Sequence, residues 1–375
     1  MTIVGWFTLL VGTYALVPTI PTSHTLSHHH RLLWRPTTQL YAIGPLAKKA
    51  KEASLRQYIA NGIEDDVMEK YQIIKAALED ETTTTTTTTS SSDTTSNSVA
   101  AMSTTPGPLQ STLHRRKGTI TVIAEYKRKL ADSGYIKESI FDPEILSPLF
   151  REFGTSGIAV MADERMGGCT YQDLKAFAEE QRRARMEVPG PVCVINNDMI
   201  IDELQVARSA AYGAGAIVLS LQLLGKEQTI KLLKAARAVD LESIVAVSTN
   251  EEAQTAIDIG ARMISVVNVP ELDDKVAVIQ GLIIPEGQQV TMISNILARN
   301  NKGLEEIEEA WACRDKGFNC VWVADALYKS GNDSLEHPGA IIKSMTSKSS
   351  LKWASPKASS GKGEGAREYL GDILM

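Results

Sequence analysis

The chain has 375 residues, 43% of them hydrophobic and 22% charged, a soluble-globular balance with room for two average domains or one large barrel plus extensions. The formal net charge of −6 and a pI near 5.7, with basic residues scattered and not interleaved with aromatics, argue against a nucleic-acid partner. Four cysteines (Cys169, Cys193, Cys313, Cys320) form no CxxC pair and have no metal-ligand spacing, so they are expected to stay reduced.

No Asp or Glu precedes Glu52. Residues 3–18, IVGWFTLLVGTYALVP, make an apolar run that is short for a membrane span and suited to a signal-peptide core. TSHTLSHHHRLLWRPTTQ follows, rich in Ser, Thr and Arg, which is transit-peptide composition. Residues 1–40 are therefore expected to be a bipartite leader for a plastid (chloroplast stroma), with no membrane segment in the mature form. An N-terminal membrane anchor is the alternative.

Residues 41–80 carry apolar positions at helical spacing, and the pattern predicts one or two amphipathic helices broken at Asn61-Gly62. The tract ETTTTTTTTSSSDTTSNS cannot bury enough surface to offset its ordering entropy, so 81–117 is expected to be a disordered tether. From Gly118 short apolar runs alternate with helical stretches: TITVIAEYK, SGIAVMAD, PVCVINN, AIVLSL, SIVAVS, MISVVN, QVTMISN and CVWVADA. Eight β units, each followed by a helix, predict an α/β fold, a single (β/α)8 barrel over 118–346 with an N-terminal helical extension. No Gly-rich phosphate loop follows the first strand, which weighs against an open doubly wound sheet. Residues 347–375 read as a basic, flexible tail ending in REYLGDILM, an apolar stretch suited to docking on the barrel or a partner.

In such barrels chemistry sits where strands end. IAEYKRK (123–129) followed by FDPEILSPLF (141–150), DMIIDELQVARSAAYGAGAIVLSLQLL (198–224) and EEAQTAIDIGARMISV (251–266) resemble, in order, the indole-3-glycerol-phosphate synthase family. The resemblance implies a substrate derived from anthranilate and a ribulose phosphate, closed to an indole with loss of carbon dioxide and water. It implies no metal and no cofactor. It also implies an acid, a base and a phosphate cradle.

The family's first-strand Glu and Lys match Glu125 and Lys127, the candidate catalytic residues. Its third-strand Lys, the general acid, falls on Asn197, and its fifth-strand Glu, the general base, falls on Ala246. The sixth-strand Asn-x-Arg matches Asn268 but meets Pro270, and the seventh-strand Glu-Ser-Gly becomes Ser294-Asn295-Ile296. The eighth strand offers Ala324-Asp325, where a carboxylate is tolerable. Asn197, Asn268, Ser294 and Asn295 are the candidate substrate-binding residues. Two expectations stay open: a synthase-like barrel with lost or impaired ring closure acting as a binding or scaffold protein, or an active synthase with a rearranged acid/base set. The partners implied are a small phosphorylated, anthranilate-derived substrate or analogue and a tryptophan-pathway enzyme.

Overall fold

The computed structural model describes residues 37–84, 106–114, 118–130, 134–135, 142–298, 304–328 and 336–347. The leader up to residue 36, most of the tether and the tail from 348 lie outside the described residues. The chain divides into two units, 1–43 and 44–375. The first contributes to the described residues the opening of helix α1 (Thr37–Asn61). Among the described residues no helix is long and apolar enough to cross a membrane.

α1 stops at Asn61 and α2 (Asp65–Thr84) starts after Gly62, whose φ of 98° suits a residue without a Cβ. The expected helix break is thus a left-handed glycine. α2 packs against α6 (Glu203–Ala211) and α7 (Leu221–Ala238), burying Val67 and Ile74 completely.

Eight parallel strands close into a barrel: β1 (Thr121–Tyr126), β2 (Gly157–Val160), β3 (Cys193–Asn196), β4 (Ala216–Ser220), β5 (Glu242–Val247), β6 (Met263–Val266), β7 (Thr291–Ile296) and β8 (Cys320–Val323). Each strand pairs with the next, and β8 returns to β1 with Thr121 opposite Cys320. The strands read as unbroken apolar runs because both faces are covered, one by the barrel interior and one by helices. The remaining helices are α4 (Pro143–Glu152), α5 (Tyr171–Arg183), α8 (Asn250–Asp258), α9 (Leu272–Ile279), α10 (Leu304–Asp315) and α11 (Glu336–Thr346). Asp142, Thr170, Asp202, Ser220 and Thr249 each cap a helix with a side-chain oxygen, which fixes where strand-to-helix loops end.

Part of the stretch expected as tether is helical. α3 (Pro108–Leu113) stands under the strand starts, with Leu109 and Leu113 buried in the barrel interior beside Ile123, Ile195 and Met263. Glu242, at the start of β5, accepts hydrogen bonds from the amides of Leu109 (2.5 Å) and Gln110 (3.1 Å). Gln110 Nε2 donates to the carbonyl of Gln289 at 2.7 Å, and the Thr121 hydroxyl donates to the carbonyl of Leu113 at 3.1 Å. Gly157 lies beside this packing: a Cβ there would sit tightly against Ile195 Cδ1 at 3.1 Å and in ordinary contact with Leu109 Cδ1 at 3.5 Å. α3 closes the floor and leaves the opposite mouth for chemistry.

Candidate active site

Strand alternation decides which side chains reach that mouth. Ile123 and Ile195 belong to the apolar interior, so two residues further along Glu125 and Asn197 point to the same side, at the top. By the same parity Ser220, Ala246 and Ser265 face inward from β4, β5 and β6, paired in register side by side.

Glu125 is the centre of the described site. It is buried (3% exposed), and its Oε2 accepts from Trp322 Nε1 at 2.7 Å and Asn197 Nδ2 at 3.0 Å. Lys127 Nζ lies 3.5 Å from Glu125 Oε1 and is ion-paired to Asp325, just past β8. The Tyr328 hydroxyl donates to the backbone carbonyl of Glu125 at 2.6 Å. Burial pushes the Glu125 carboxyl above its ordinary range, and the nearby Lys127 ammonium only partly reverses this. For Lys127 burial opposes the charge, yet Glu125 and Asp325 outweigh it and hold the ammonium above its usual value.

The structure brings together Glu125, Lys127 and Asn197. It separates others. Ser294 is buried on the helix side of β7, where its Oγ accepts from Cys313 Sγ at 3.3 Å, so the expected substrate contact is corrected. Above Ile293, the inward residue of β7 at the mouth is Asn295. Asn268 is exposed beyond the end of β6 in a left-handed backbone (φ 59°), a conformation Asn tolerates, and Val267 takes the inward parity there. Ile296 is buried in the outer core. Residues 299–303 and 329–335, which follow β7 and β8, lie outside the described residues.

Two partners escaped sequence reasoning. Trp322 reads as one more apolar strand residue until barrel closure sets its indole N–H on Glu125. Lys51 of α1 reads as a solvated charge, yet it donates to Asp163 at 2.8 Å and pairs with Asp198, the residue after Asn197. Asp198 is further held by the Tyr171 hydroxyl at 2.9 Å and Gln205 Nε2 at 3.2 Å. Beside them a cavity of about 50 Å³ is lined by Lys51, Tyr58, Tyr171, Asp198 and Arg208, outside the barrel mouth. Among the described residues no cluster of His, Cys, Asp and Glu has the makings of a metal site.

A sequence profile described as indole-3-glycerol phosphate synthase matches residues 67–336, most of the chain. The chain belongs to the indole-3-glycerol phosphate synthase family. An indole-3-glycerol phosphate synthase of Leptospira interrogans is 34% identical over 155 residues, 41% of this chain and 57% of that protein. One from Mycobacterium avium is 27% identical over 240 residues, 62% of this chain and 80% of that protein. The chain spans somewhat more than half the length of the first curated relatives it matches. Among solved structures, an archaeal fructose-1,6-bisphosphate aldolase is similar at 13% identity with a TM-score of 0.45, over 64% of this chain and 100% of that one.

On the correspondence the resemblance implies, Glu125 and Lys127 stand at the first-strand pair, and Asn197 and Ala246 stand where the acid and the base are expected. Asn197 donates hydrogen bonds but no proton at neutral pH, and Ala246 has no proton chemistry. The inward side chains at the mouth are therefore one buried carboxylate, Glu125, one lysine shared between Glu125 and Asp325, and the neutral Asn197, Ser220, Ala246, Ser265 and Asn295.

Proposed function

We propose that this protein is a synthase-derived barrel that holds a small phosphorylated, anthranilate-derived ligand or an analogue in its mouth, with decarboxylating ring closure lost or impaired. One observation carries the reading: Asn197 is the residue bonded to Glu125, Ala246 is the inward residue near the end of β5, and Lys127 is engaged by Glu125 and Asp325. A lysine whose proton is held that firmly is a poor acid. A positioned acid or base contributes roughly 10²–10⁴-fold each, and cooperating losses are not additive, so the expected result is a strong deficit and no simple product. In this reading the barrel serves as a binding or scaffold protein beside a tryptophan-pathway enzyme. The acid-free start of the chain supports delivery to a plastid.

A second reading has its own support. Burial raises the Glu125 carboxyl, so Glu125 with Lys127 is the pair from which a rearranged acid/base set would be built. The test is formation of indole-3-glycerol phosphate, followed by fluorescence, from 1-(2-carboxyphenylamino)-1-deoxyribulose 5-phosphate. The unmodified protein is compared with Asn197→Lys/Ala246→Glu. No turnover by the parent with gain in the double variant supports lost ring closure; turnover by the parent that vanishes in Glu125→Gln supports the rearranged set.

A further inference from the structure

Trp322 has two environments. Its indole body lies in the apolar barrel interior with Ile123, Ile195 and Ile293, only 3% exposed, while its Nε1–H points up at Glu125 Oε2, 2.7 Å away. A buried indole N–H needs an acceptor, and a buried carboxylate needs donors, so each side chain satisfies the other. Asn197 Nδ2 reaches the same oxygen at 3.0 Å. The other oxygen, Oε1, is buried and accepts no hydrogen bond; its one charged neighbour is the Lys127 ammonium, 3.5 Å away in an ion pair that it shares with Asp325.

We propose that Trp322 and Asn197 are positioning residues for Glu125: they lock Oε2 from below and from the side, leaving Oε1 as the oxygen that gains and loses the proton at the mouth. The proposal rests on the mouth being the functional site, but its consequences need no turnover. A phenylalanine would keep an aromatic body in the barrel interior, with a small cavity, and leave the carboxylate one donor short. The charged and titratable groups facing Glu125 are Lys127 just after β1, Asp325 and Tyr328 after β8, and Cys169 before α5. None of these is altered by substituting Trp322.

A hydrogen bond to a charged group is worth roughly one pH unit of proton affinity, so its loss raises the carboxyl further. The test is difference infrared titration of the full chain, with the Glu125 carboxyl band assigned by its disappearance in Glu125→Gln. In Trp322→Phe the band is expected to titrate about one pH unit higher than in the parent, and Asn197→Leu to move it the same way. An unchanged midpoint in a folded Trp322→Phe protein overturns the proposal. A second readout needs no substitution at Trp322. One of the five indole N–H signals in a ¹⁵N-tryptophan spectrum should titrate with the Glu125 midpoint and lose its pH dependence in Glu125→Gln. Five signals indifferent to Glu125 would also overturn it. Neither readout contains substrate, so failure of the ring-closure reading and failure of this one are separate results.

Discussion

Lys51, on the helix that opens the described chain, is ion-paired to Asp198, the residue directly after Asn197 at the end of β3. The helical extension is thereby tied to the strand end that carries one of the site residues. The same ammonium serves Asp163 after β2, so two loops of the mouth share one cation. The two carboxyls respond oppositely. Burial dominates at Asp198 and raises it, whereas at Asp163 burial is outweighed by Lys51 and the group is lowered.

Lys51→Met removes the cation from a carboxylate with no exposed side-chain surface. Breaking such a pair is expected to cost about 3 kcal/mol, read as a lower urea midpoint. The two carboxyls give opposite signs: the raised Asp198 loses its contribution as pH rises, and Asp163 supplies the acid limb. Its lowered folded value contributes stability above its ordinary 3.8 that is lost as pH falls through the folded value. In Lys51→Met that acid limb should shrink to what the Arg165 and Met166 amides alone hold. An unchanged urea midpoint would show that Lys51 is solvated.

Glu125 gives the opposite sign. Its folded value is raised above the ordinary 4.5, so its contribution is full below 4.5 and is lost as pH rises through the folded value. Glu125→Gln should therefore flatten the decline in stability on the alkaline side of pH 4.5. Parallel pH–stability curves for the two proteins would contradict the burial of this carboxylate.

Lys275 on α9 is completely buried, donating to Glu309 of α10 at 2.5 Å and to the carbonyl of Asn295 at 2.6 Å. Lys275→Met should cost about 3–5 kcal/mol because it strips the cation from a buried carboxylate. Lys275→Met/Glu309→Leu should recover most of that loss, since a buried pair and an apolar pair of similar volume are close in stability. A double variant as unstable as the single would show that the carbonyl of Asn295 is the partner that matters.

The floor plug is separable from the mouth. Leu109→Ala opens a cavity beneath Ile123 and Ile195 and should cost about 2–5 kcal/mol in chemical unfolding. The Glu125 infrared midpoint should stay where it is, because α3 and Glu125 occupy opposite ends of the barrel. A shift of that midpoint would mean that the interior transmits packing at the floor to the site.

Some of this molecule is legible in its sequence and some is not. The alternation of short apolar runs with amphipathic stretches marks the barrel because local backbone periodicity repeats in every unit, and the spacing of Glu125 and Lys127 puts both on one side of a strand. The break at Asn61-Gly62 is equally local, a left-handed glycine between two helices. α3 escaped because six residues beyond a Thr/Ser tract have too little periodicity to announce a helix, and their burial comes wholly from the barrel above. Ser294 was misplaced because a one-residue change of parity on a strand turns a side chain from mouth to helix layer. Trp322 and Glu125 stand 197 residues apart, and Lys51 and Asp198 stand 147 apart. Sequence order alone determines which groups the chain owns and which strand ends they occupy. Closure of the sheet, which sets β8 against β1 and the extension against β3, decides which of those groups share a proton.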